Sequence, residues 1–169
     1  MSKTSINDYD ALTLAQYAHE LGLDLEDLEY KLTLAKRQTY YIQRVDMPVI
    51  QADQIKTLQN MLLEVGIKFR QVIVPACKLK PVQKDIYLEK GVGQITRQGV
   101  YKTKVYLRNH STITVSKDLY IIDGHHRWLS AMLINPKLGI KVFQVGLCFT
   151  ELYRPMIAYS NILQNERRE

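Results

Sequence analysis

The chain has 169 residues, 46% hydrophobic and 24% charged, the balance of a globular domain with a core of its own. Its formal net charge of +6 permits a polyanionic partner without demanding one. The longest apolar runs fall far short of the roughly 20 residues of a spanning helix, and the polar opening Met1 to Asp10 lacks a signal-peptide run, so a cytoplasmic protein with no membrane partner is expected.

Taken in chain order, Asp10 to Gln38 is predicted helical. Leu14, Ala18 and Leu21 share a face, Gly22 interrupts, and Asp24 is placed to cap a second helix with Leu25, Leu28 and Leu32 on one side. The spacing of Ala18, Gly22 and Leu28 is that of a helix-turn-helix. The second helix, however, opens with Asp24, Glu26, Asp27 and Glu29, carboxylates where a recognition helix would meet phosphates. Plain helical packing is therefore expected. Tyr40 to Ile50 reads as extended, with Pro48 blocking an early helix start. Within it Arg44, Asp46 and Pro48 lie together, either as an ordinary salt bridge or as a substrate-side contribution from the N-terminal part. Ala52 to Val65 reads as an amphipathic helix with Ile55, Leu58, Met61 and Leu62 on one face and Gly66 as its C-cap.

Phe69 to Pro75 is rich in β-branched residues and is predicted to be a strand. Lys78 to Lys90 reads as a proline turn continuing into a helix. Gly91 to Ser111, with three glycines among Arg97, Lys102, Lys104 and Arg108, reads as a mobile loop or hairpin. Thr112 to Val115 and Leu119 to Ile122 are predicted strands joined by a turn at Ser116-Lys117-Asp118. Gly124 then opens a helix to about Ile134, ended by Asn135-Pro136. Ile140 to Phe149 is a last strand, and Arg154 to Glu169 a C-terminal helix. Cys77 and Cys148 form no C-x-x-C pair. They read as buried thiols, with a disulfide left open.

Chemistry concentrates at Asp123-Gly124-His125-His126-Arg127. A buried strand ends here, the glycine lets backbone and ligand approach closely, and the first turn of a helix offers amide donors and the positive end of its dipole. This is an anion site in outline. Arg127 can hold two phosphate oxygens at once. Asp123 by itself reads as an N-cap. Two histidines and an arginine at a positive helix end repel one another, and a bound anion would relieve that.

The segment resembles the signature of the ParB/sulfiredoxin superfamily over roughly Phe69 to Phe149, and Leu79-Lys-Pro-Val-Gln83 resembles the first box of ParB-type domains. The resemblance implies an α+β fold, a small mixed sheet flanked by helices. An N-terminal helical region (1–66) would precede the ParB/sulfiredoxin-like domain (67–150), and a C-terminal helical tail (151–169) would follow. It implies a nucleotide or nucleic-acid partner bound by Gly124, His125, His126, Arg127, Lys80 and Gln83. His125 stands where sulfiredoxins carry an essential cysteine, so that activity is not expected. The His-His-Arg run is similar to that of free serine kinases, whose catalytic glutamate is replaced here by Gln83, with Asp85 and Glu89 nearby. Partition proteins carry a long helical DNA-binding domain after this one, and with the short stretch that follows the last strand here a partition function is not expected.

The expected function is that of an enzyme acting on a nucleotide or nucleic-acid phosphate, as nuclease, nucleotide hydrolase or phosphotransferase. The alternatives are a non-catalytic DNA-binding regulator, a small-molecule kinase, and a structural protein keeping the fold without chemistry. As an enzyme it would use Asp123 as base, His125 or His126 as proton donor, and Mg²⁺ carried in by ATP, ADP or CTP, with Asp123 and Asp85 as metal ligands. Lys78, Lys80, Lys84, Lys90, Lys102 and Lys104 line a possible polyanion path or form a solvated face. Tyr101 and Tyr106 interleave with them as candidates for base stacking.

Overall fold

The computed structural model describes residues 3–110 and 113–163. Helix α1 (Ala11–Leu21) is capped by the Asp10 carboxylate, which accepts from the Thr13 amide at 2.7 Å. Gly22, at φ +66°, ends it. Helix α2 (Leu25–Ala35) follows, with Asp24 at the N-cap position but making no side-chain capping bond there. The pair packs as helices do. Leu14, Ala18, Leu28 and Leu32 enter one core, and the nearly buried Lys31 spans from Asp27 (3.0 Å) to the Ile134 carbonyl (3.3 Å). That carbonyl lies at the last turn of a helix, where a cation is favoured.

Residues 36–54 form a strap rather than the extended strand expected at Tyr40 to Ile50. Pro48 has no amide to give a ladder. The strap buries Met47, Val49 and Ile50 and is tied to the rest of the fold by hydrogen bonds as well. The Ile42 amide donates to the Val82 carbonyl, and the Lys84 amide to the Ile42 carbonyl, both at 2.7 Å. One 3-10 turn covers Arg44–Asp46 and a second, Ala52–Gln54, runs straight into α3 (Ile55–Glu64). Gln51 and Gln54 cap that start reciprocally.

Four strands build the sheet: β1 (Phe69–Pro75), β2 (Ile113–Val115), β3 (Ile121–Asp123) and β4 (Gly139–Val145), in the order β1-β4-β2-β3. Both outer pairs are antiparallel, and β2 runs parallel to β4. Alternation assigns the faces. Val74, Ile113, Val115, Ile121, Ile140 and Val142 enter the core shared with α1 and α2. Ile122, Phe143 and Val145 enter a second core with α3 and the C-terminal helix α7 (Phe149–Ile162). The expected α+β class is thus observed, with helices on both faces of a mixed sheet. No helix among the described residues is long and apolar enough to cross a membrane.

Four further stretches differ from expectation. Residues 79–87 are irregular, not helical, with isolated bridges from Lys80 to Tyr120, Gln83 to Ile42 and Tyr87 to Ser5. Pro81 disfavours helix before it, and the segment makes its hydrogen bonds with partners remote in sequence. Gly91 to Ser111 is no loop. It carries α4 (Leu88–Gln98) and α5 (Val100–Asn109), with Gly99 at φ +87° as the break; Ser111, like Thr112 and everything past Leu163, lies outside the described residues. Strand β3 begins at Ile121 because Leu119 sits at φ +70° in the preceding turn. Strand β4 stops at Val145, and Phe149 opens α7 behind a reciprocal Cys148–Glu151 cap. Both thiols are free, Cys77 exposed and Cys148 half-buried, against the expectation of two buried ones.

Gly91 shows why glycine there does not mean loop. A Cβ on it would lie 2.7 Å from Leu129 Cδ2 and 3.3 Å from Leu129 Cβ, on the buried face of α6 (His125–Ile134). The glycine is what lets α4 and α6 approach. Gly91→Ala is therefore expected to lower stability by about 1–3 kcal/mol through overpacking. Gly93→Ala, whose Cβ would meet only the Arg97 guanidinium at 3.2 Å, is expected to be neutral or stabilising. Urea midpoints of the two variants check this; equal midpoints would refute the helix-crossing role.

Candidate phosphate site

Helix α6 starts where β3 stops. Gly124, at φ +110° and ψ 24°, makes the turn, and the Trp128 amide closes the first helical hydrogen bond onto its carbonyl at 3.0 Å. The helix is anchored by Trp128, 1% exposed, whose indole donates to the Ala76 carbonyl at 2.9 Å. The N-cap position itself falls on Gly124, one residue after Asp123. The Asp123 carboxylate, on a residue 2% exposed, accepts from the Ile50 amide at 3.3 Å and so ties the strap to the sheet.

The two histidines act as acceptors. Nε2 of His125, in a residue 3% exposed, accepts from the amides of Val82 (3.0 Å) and Gln83 (3.2 Å). Nε2 of His126 accepts from the Tyr87 amide at 3.0 Å, and its ring stacks on Tyr87 with centroids 5.9 Å apart and planes 8° apart. A ring nitrogen that accepts carries no proton, so the network assigns both as neutral imidazoles protonated at Nδ1. Neither Nε2 can donate to a leaving oxygen. The first-order role of both rings is to hold residues 82–87 against α6.

A pocket of about 430 Å³ opens at this helix start. Gly124, both histidines and Arg127 line it from α6, and Gln83 from the irregular segment. The strap brings Arg44, Ile50, Gln51 and Ala52, and α5 brings Tyr106. Arg44 also packs its guanidinium 5.7 Å from the centre of the Tyr87 ring, the same ring that stacks on His126. The charged side chains lining the pocket are two arginines, Arg44 and Arg127. Gln83, 3% exposed, is fixed by its own amide donating to the Asp85 carbonyl at 2.7 Å and by its carbonyl accepting from Gln38 at 2.6 Å.

Other expected site residues lie elsewhere. Lys80 is exposed, with its ammonium 4.7 Å from the Tyr120 ring centre, where the cation is held by the ring face rather than by the pocket. Neither Asp123 nor Asp85 lines the pocket. Glu89 accepts from the Thr4 amide and sits beside Tyr17, whose phenol is pushed up to about 12 by burial and by that carboxylate. Among the described residues no three His, Cys, Asp or Glu side chains group as a metal site. Of the two tyrosines proposed to stack on bases, Tyr106 lines the pocket and Tyr101 is 78% exposed on the outside of α5. Lys78, Lys84, Lys90, Lys102 and Lys104 do not line it. Sequence reasoning missed Gln51 and Ala52. The signal was the Gln51-x-x-Gln54 capping spacing, weak because glutamine is not a usual first cap residue.

Comparison of the chain with protein-family profiles, curated proteins and solved structures gives no match. The pocket itself therefore carries the functional argument.

Proposed function

We propose that the protein binds the phosphate of a nucleotide or nucleic acid in this pocket. The observation that carries the reading is that Arg44 and Arg127, far apart in sequence, line one pocket with Gly124 at the opening of α6. Guanidinium groups bind phosphate oxygens in pairs, and a helix start favours negative charge. Gly124 gives close backbone approach. Gln51 and Gln83 offer amides for ribose or base, and Tyr106 a face for stacking. The likeness to the ParB/sulfiredoxin superfamily rests on the Asp-Gly-His-His-Arg box, which lies at a strand-to-helix turn in an α+β chain.

Such a site suits phosphoryl chemistry by neutralising charge that develops on the phosphate. In this reading His125 and His126 are positioning residues, and Mg²⁺ would enter as the counter-ion of ATP, ADP or CTP. The test is a thermal-shift screen with ATP, ADP, CTP, pyrophosphate and short DNA, with and without Mg²⁺, followed by calorimetric titration. A ligand at about 100 times its Kd should stabilise the protein by roughly 2.7 kcal/mol. Arg44→Gln with Arg127→Gln should weaken that ligand about 10- to 100-fold, as loss of charged hydrogen bonds does. No shift with any of the five, or unchanged affinity in the double variant, overturns the reading.

A further inference from the structure

A second pocket, of about 740 Å³, lies beyond the C-terminal end of β2, whereas Gly124 lies at its N-terminal end, against Ile113. We propose that it is a separate binding site for a small amphipathic anion, a phosphate or carboxylate carried on an aromatic or aliphatic body. This site does not depend on the Gly124 pocket.

Three cations line it: Lys68 just before β1, Arg70 within it, and Lys117 in the turn between β2 and β3. No carboxylate lines it. Among the described residues none of the three is in an ion pair. Like charges gathered without a counter-charge repel, and a bound anion offsets that.

A solvated basic face would need no internal support, yet this one has it. Gln144 of β4, 8% exposed, pairs across the sheet with Arg70 and accepts from the Arg70 Nε at 2.8 Å. Its own amide donates to the Lys117 carbonyl at 3.0 Å. One buried amide therefore sets both the guanidinium and the turn that carries Lys117. Only Nε of Arg70 is engaged; its two terminal nitrogens make no hydrogen bond within the described residues. Lys68 is pinned as well. Its carbonyl accepts from the Gly146 amide at 2.7 Å, in an approach so close that a Cβ on Gly146 would lie 2.8 Å from that oxygen.

The lining between the cations is apolar, with Phe69 and Leu147 packed on the second core. The volume is in the range of small-molecule sites, roughly 300–1,000 Å³. Charge at the rim with an apolar floor selects an anion that also has a body to bury, over inorganic phosphate alone.

The test is ¹⁵N NMR titration of the full chain with 1-naphthyl phosphate and with octanoate, against inorganic phosphate. Both amphipathic probes are expected to move the amides of Gly66, Phe69 and Gly146, with a Kd of about 1 mM or tighter and inorganic phosphate at least about 10-fold weaker. Arg70→Gln with Lys117→Gln, both exposed, should weaken the probes about 10-fold or more while leaving the rest of the spectrum in place. Gln144→Leu keeps every cation but frees the guanidinium, and is expected to weaken them about 3-fold. Silence at those three amides up to about 10 mM probe, equal affinity for inorganic phosphate, or wild-type affinity in the double variant overturns the proposal.

Discussion

Replacing His125 with alanine is expected to destabilise the protein by about 4 kcal/mol, with no need to invoke catalysis. The imidazole is buried and its Nε2 is the acceptor for two amides, those of Val82 and Gln83. Truncation leaves both without that acceptor and opens a void beneath α6. Each orphaned amide costs roughly 1–3 kcal/mol. For a domain of this length, about 2–4 °C of Tm accompanies each kcal/mol, so a fall of roughly 8–16 °C is expected in calorimetry. Glutamine at the same position restores an acceptor oxygen and should recover part of the loss. A protein that kept its Tm but lost phosphoryl turnover would instead make His125 a catalytic acid and refute the positioning role.

Gly124→Ala should lower stability by about 2–4 kcal/mol and weaken nucleotide binding with it. Two costs combine. At φ +110° a side chain is strained, and the added carbon would sit 3.0 Å from Ile113 Cγ1, 3.3 Å from the Ile113 Cα and 3.2 Å from an Arg127 terminal nitrogen. The Ile113 backbone belongs to β2 and cannot easily yield. Gly22→Ala provides the control. Gly22 also has positive φ, +66°, but nothing lies within 4 Å of the position its Cβ would take, so only the conformational cost of roughly 1 kcal/mol applies. Urea denaturation separates the two, and equal losses would mean that crowding against Ile113 contributes nothing.

Where periodicity and punctuation agreed, the fold was legible. β1 runs from Phe69 to Pro75 and α6 ends at Ile134 before Asn135-Pro136, as read from β-branched residues and from proline. Where glycine had two meanings, the reading failed. Gly91 and Gly93 suggested a loop, yet Leu88, Val92 and Ile95 already traced a helical stripe, and Gly91 is small because Leu129 crosses it. The site was half legible. The strand-to-helix turn at Gly124 and the place of Arg127 followed from local sequence. The states of His125 and His126 did not, because their partners, Val82, Gln83 and Tyr87, lie about 40 residues away in an irregular segment that no local pattern predicts. Arg44 stood out by composition but had no address until the strap placed it.

The strap divides responsibility within the chain. The sheet and α6 supply Gly124 and Arg127, whereas Arg44 and Gln51 ride on a segment that sets such pocket-lining positions beside buried anchors at Met47, Val49 and Ile50. Sequence drift at positions such as 44 and 51 can therefore retune which ligand the pocket accepts, while the buried anchors between them keep the strap in place. In this chain, selectivity and robustness are inherited at interleaved positions of one short segment.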